Sequence, residues 1–103
     1  MKVHTFYYKD IFPISFKNGM VNATEMANAF GKKPVHYLKS RSAKTYVYSF
    51  DYDKVLHVTQ VENKEEICWM SLELALDFSE WLDLEFSRFL ELIIKKNYKN
   101  ILK

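Results

Sequence analysis

An α+β domain is the fold class this sequence predicts, and three observations carry that expectation. Aromatic and β-branched runs stand at the start and in the middle of the chain. Asn, Ser and Asp residues precede apolar residues spaced three and four apart, the pattern of capped amphipathic helices. Only two Gly and two Pro interrupt 103 residues, of which 49% are hydrophobic and 17% aromatic, so disorder is not expected and there is material for one core. A single domain over residues 1–103 follows.

The elements read in order. Val3–Tyr8 and Phe12–Phe16 are strand-like. Asn18-Gly19 favours the positive φ of a tight turn, which predicts a hairpin from about Pro13 to Asn22. A helix follows: Asn22 with Glu25 makes a capping-box pair, and Thr24 is the rival cap. Met26, Ala27, Ala29 and Phe30 supply its buried side, Gly31 its stop, and Pro34 suits the first turn of the next helix. There Ala43, Tyr46, Val47 and Phe50 form one face at i, i+3, i+4, i+7, opposite Arg41, Lys44, Thr45 and Tyr48. If Ser42 caps this helix, Pro34–Ser40 is a separate turn; the sequence leaves both open. Val55–Val61 and Ile67–Met70 read as paired strands joined through Glu62–Glu66. Ser71 caps a helix from Leu72 to about Leu82, with Leu74, Ala75, Phe78, Trp81 and Leu82 inward. Asp83 caps a last helix with Phe86, Phe89, Leu90 and Ile93 inward.

A net charge of +2 hides a dipolar chain. Residues 31–50 carry Lys32, Lys33, Lys39, Arg41 and Lys44 and no acid, whereas residues 62–91 carry nine acids against Lys64 and Arg88. Four lysines follow from Leu92 onward. Such a molecule attracts phosphate on one face and repels it on another. No apolar run approaches the ~18 residues of a membrane span, and no secretion signal is seen at the start. Cys68 is the single cysteine, which fits a reducing, cytoplasmic location and reads as a small buried hydrophobe. His4, His36, His57 and Cys68 match no metal-ligand spacing, so neither a metal nor a cofactor is expected. No nucleophile–base order, phosphate-cradling Gly loop or nucleotide motif is present, so an enzyme is not expected. The carboxylates Asp77, Glu80, Asp83 and Glu85 read as solvated outer faces of helices.

Val21-Asn22-Ala23-Thr24-Glu25-Met26-Ala27, the Gly31-Lys32-Lys33 link, Tyr37-Leu38-Lys39, Arg41-Ser42, Tyr46-Val47, Trp69-Met70, Leu74-Ala75 and Trp81-Leu82 together resemble the KilA-N family and, through it, the APSES domains of fungal transcription factors. The resemblance covers about residues 11–94. It implies a winged helix-turn-helix-like fold, with small β-hairpins packed against four or five helices, that binds DNA in phage, bacterial and large-virus proteins. The recognition segment would be Lys32–Tyr48 and the wing Val55–Met70. The wing departs from the family pattern: Glu62-Asn63-Lys64-Glu65-Glu66 has no Gly and is acidic, where the family is Gly-rich.

These readings converge on a sequence-preferring double-stranded DNA-binding domain of a phage-derived or bacterial regulator, cytoplasmic and nucleoid-associated. Its expected contacts are Lys32, Lys33, His36, Lys39, Arg41, Lys44, Thr45 and Tyr48. Arg41 and Lys44 are the types that reach guanine edges; Thr45 and Tyr48 suit phosphates or methyl groups. His36 reads equally as a phosphate contact or an ordinary surface residue. The alternative is a protein-interaction module on the same fold, antirepressor-like or dimerising through Leu84–Leu102, with weak or lost DNA binding. A third reading, RNA binding, uses Tyr37, Tyr46 or Tyr48 as stacking platforms.

Overall fold

Two tight turns built by residues at positive φ organise the N-terminal third of the chain. The computed structural model describes residues 3–49, 56–60 and 66–102. Lys9 (φ 53°) and Asp10 (φ 61°) reverse β1 (His4–Tyr8) into β2 (Phe12–Lys17). Asn18 (φ 55°) and Gly19 (φ 74°) reverse β2 into β3 (Met20–Asn22), the geometry expected of Asn-Gly. Further on, β4 (Leu56–Gln60) pairs antiparallel with β5 (Glu66–Ser71), Val58 opposite Cys68. The sequence suggests separate small hairpins. Instead β3 pairs with β5, Val21 opposite Met70, and the two hairpins fuse into one antiparallel sheet ordered β1-β2-β3-β5-β4. Val21 and Met70 are both fully buried, and β3, only three residues long, carries too short a pattern to announce that long-range pairing.

Helices α1 (Ala23–Asn28), α4 (Leu72–Leu82) and α5 (Leu84–Ile101) pack on this sheet around Ile14, Phe16, Met26, Leu74, Phe78, Phe86 and Leu90. Tyr8 meets Phe86 and Phe89 at 5.0 and 5.1 Å between ring centroids and ties the first hairpin to α5. The predicted caps of the last two helices are present: Ser71 Oγ accepts from the Leu74 N–H at 3.2 Å, and Asp83 Oδ2 from the Phe86 N–H at 3.0 Å. Trp81, expected in the core, is 38% exposed, because it sits on the last turn of α4 at the core's margin. α5 kinks at Asn97, whose amide donates to the Ile93 carbonyl at 3.0 Å, and its final turn buries Ile101.

Local bonds correct the expected start of α1. Asn22 is the cap, accepting from the Glu25 N–H at 3.0 Å. The Glu25 carboxylate does not close the box; it accepts from the Ser15 N–H at 2.8 Å, replacing a strand partner where the chain has already turned into the helix. Thr24, the rival cap, instead accepts from the Cys68 N–H at 2.9 Å and pins α1 to β5. Of the expected wing turn, Glu66 opens β5 opposite Gln60, and the rest lies outside the described residues.

Candidate nucleic-acid interface

The cationic segment is shaped first by how α1 ends. Gly31 adopts φ 64°, its N–H donates to the Asn28 carbonyl at 3.2 Å, and the Lys32 N–H reaches back to the Ala27 carbonyl at 2.9 Å. This paired closure turns the chain out of the helix and leaves Lys32 and Lys33 on an exposed link. Pro34 then opens α2 (Pro34–Leu38) at its first position, where a missing N–H costs nothing. α3 (Arg41–Ser49) is a separate helix. Its cap is Ser40, whose hydroxyl accepts from the Ala43 N–H at 3.2 Å, and not Ser42, whose hydroxyl is committed elsewhere.

That commitment is to Asp77. The half-buried Asp77 carboxylate accepts from the Tyr37 hydroxyl at 2.5 Å and from the Ser42 hydroxyl at 2.7 Å, so one side chain of α4 holds both α2 and α3. Asp77 is therefore not part of a solvated acidic face. Tyr37 is fully buried, its ring 4.8 Å from Phe78 and 5.8 Å from Trp81. It anchors α2 and is unavailable as a base-stacking platform. Ala43, also fully buried, lets α3 lie close against α4. Spacing alone pointed to none of these tethers; the polar residues Ser42 and Asp77 are 35 positions apart.

With the helices fixed this way, Lys32, Lys33, His36, Lys39, Arg41, Lys44 and Thr45 are all exposed. Lys39 ends α2, Arg41 opens α3, and Lys44 and Thr45 follow within its first turn and a half. The Thr45 hydroxyl donates back to the Arg41 carbonyl at 3.0 Å, leaving its oxygen as an acceptor. Tyr48 belongs to α3; its side chain, like those of Tyr46 and Phe50, lies outside the described residues. Lys32 is the exception to a purely solvated cation, its ammonium lying 4.8 Å above the Trp81 ring. Among the described residues the ion pair formed is Lys9–Glu85 at 3.8 Å, and none of the five cations is paired with a described carboxylate. Beside the link, a cleft is lined by Thr24, Lys33, Val35, Leu38, Glu66 and Cys68, which brings one exposed acid of β5 next to the cations. Burial pushes the Cys68 thiol up to about 12, so it is an inert wall of that cleft.

Exposed cations on a link and around two short helices, unpaired among the described residues, can replace counterions along a phosphate backbone. Among the described residues no three His, Cys, Asp or Glu side chains converge as a metal site. Nor is any helix there long and apolar enough to cross a membrane. No curated protein and no solved structure matches the chain. A family model described as the KilA-N domain matches residues 5–100, wider at both ends than the motifs alone indicate. KilA-N is a family of DNA-binding domains and not of enzymes. Over nearly its whole length, this chain belongs to the KilA-N domain family.

Proposed function

We propose that the chain is a sequence-preferring double-stranded DNA-binding domain, acting as one unit over residues 1–103 within a phage-derived or bacterial regulator in the cytoplasm. In this reading α2 and α3 work as a helix-turn-helix with the β4–β5 hairpin in the place of a wing. α3 enters the major groove with Arg41, Lys44, Thr45 and Tyr48 toward base edges, while Lys32, Lys33, His36 and Lys39 hold phosphates. The observation that carries it is the set of five exposed cations spread from the link into α3 with no ion pair among the described residues. Duplex binding measured by fluorescence anisotropy at several salt concentrations tests it. Four or five phosphate contacts give a slope of log K on log salt of about −3 to −5. Absence of binding to mixed-sequence duplex at ~50 mM salt overturns it.

A second reading rests on the acidic helices. Glu73, Glu80, Glu85 and Glu91 are exposed on α4 and α5, beside exposed Leu84 (69%) and Leu92 (50%). A protein-interaction module would use that surface, and its signature is partner binding that survives loss of the α3 cations.

A further inference from the structure

Among the described residues, the outermost strand of the sheet carries neither a charge nor a proline to guard its edge. β1 has a strand neighbour on one side only among the described residues. Residues 3–8 (Val-His-Thr-Phe-Tyr-Tyr) contain no Lys, Arg, Asp, Glu or Pro. Of the two lysines that flank this stretch, Lys2 lies outside the described residues, and Lys9 has left the strand at φ 53° and is turned onto Glu85.

The direction of the free backbone groups follows from two partners on β2. Thr5 stands opposite Ser15, and the Ser15 N–H donates to Glu25, away from β1. Tyr7 stands opposite Pro13, which has no N–H to give. Both are therefore non-hydrogen-bonded pairs of the ladder, and the N–H and C=O groups of Thr5 and Tyr7 point to the open edge. Their side chains, with Val3, lie on the exposed face: Val3 is 54% and Tyr7 57% exposed, while His4, Phe6 and Tyr8 turn toward the core.

We propose that β1 is a self-association edge, pairing antiparallel with β1 of a second copy about a two-fold axis at Thr5. That register is the one the strand itself complements. Thr5 meets Thr5 of the other copy, and Tyr7 meets Val3, giving a hydroxyl pair flanked by two aromatic–β-branched pairs. No like charges are opposed anywhere along it. A register centred on Phe6 would set Thr5 against Tyr7, separating the two hydroxyls, and would leave Val3, which like Lys9 flanks the strand, without an aromatic partner. The resulting dimer is isologous, joining two sheets into one continuous sheet. It does not depend on the DNA-binding reading.

Sedimentation velocity over a concentration series tests the edge. The unmodified chain is expected to dimerise reversibly. Thr5→Lys and Thr5→Glu each place like charges across the axis and raise the dissociation constant about tenfold or more. An equimolar mixture of the two variants opposes unlike charges and restores the dimer. Both variants lose the 3.1 Å Thr5–Ser15 hydroxyl bond equally, so melting temperatures report whether folding is affected. The proposal is overturned by an unmodified chain that stays monomeric up to ~1 mM, by variants that dimerise as well as the parent, or by a mixture that remains monomeric.

Discussion

Asp77 is the residue on which the geometry of the cationic helices turns, and its removal is a quantitative test. The carboxylate takes one bond from buried Tyr37 and one from exposed Ser42. Hydrogen bonds to a charged group contribute about 1.5–3 kcal/mol when buried. The Tyr37 bond belongs at the lower end, because Asp77 is itself half-buried, and the Ser42 bond below it, at about 0.5 kcal/mol. Asp77→Ala is thus expected to cost about 2–3 kcal/mol, since it also strips an acceptor from a buried hydroxyl. For a domain of this size that lowers Tm by about 10–15 °C. Tyr37→Phe alone should cost about 1–1.5 kcal/mol, and Ser42→Ala little. A double-mutant cycle between Tyr37→Phe and Asp77→Ala, read by urea unfolding, should give a coupling of about 1–1.5 kcal/mol. Additive effects, or an Asp77→Ala variant within about 0.5 kcal/mol of the parent, would refute the tether.

Two further predictions probe neighbouring parts. The Cys68 thiol is held at about 12 against an ordinary value of 9.0. Above pH 9 the unfolded chain therefore loses a proton that the folded chain keeps, and stability falls as pH rises toward 12. By pH 10 this amounts to about 1.4 kcal/mol relative to neutral pH. Urea unfolding of parent and Cys68→Ala should show that difference in pH dependence; parallel curves would contradict it. Gly31→Ala meets no atom within 4 Å of its new Cβ, so its cost is the left-handed backbone alone, about 1–2 kcal/mol by thermal unfolding.

How far the sequence discloses this molecule depends on the range of the interaction. Local signals were legible: the Asn-Gly turn, the Asn22, Ser71 and Asp83 caps, the Gly31 stop and Pro34 at a helix start each act within a few residues. What was missed is long-range. The pairing of β3 with β5 joins residues about fifty positions apart, as Val21 and Met70 show. Glu25, Thr24, Ser42 and Asp77 all looked like caps or solvent-facing polar groups. They instead serve as tethers between elements, because a polar side chain at an element's end has both local and distant partners within reach. Within the candidate site, the exposure of Lys44 and Arg41 opposite Ala43 was readable from helical spacing. The lodging of Lys32 over Trp81 was not, since it needs α4 to be placed first.

The most direct measurement is the salt dependence of duplex binding for the parent and for Arg41→Gln with Lys44→Gln. Both residues are exposed and free of ion pairs among the described residues, so folding should be unchanged. If α3 lies in the major groove, losing two base-edge side chains weakens binding to the preferred duplex by about 1–3 kcal/mol each, while the slope of log K on log salt, set by the phosphate contacts, stays near the parent's. An affinity equal to the parent's at every salt concentration would place the DNA elsewhere on the molecule and contradict the account.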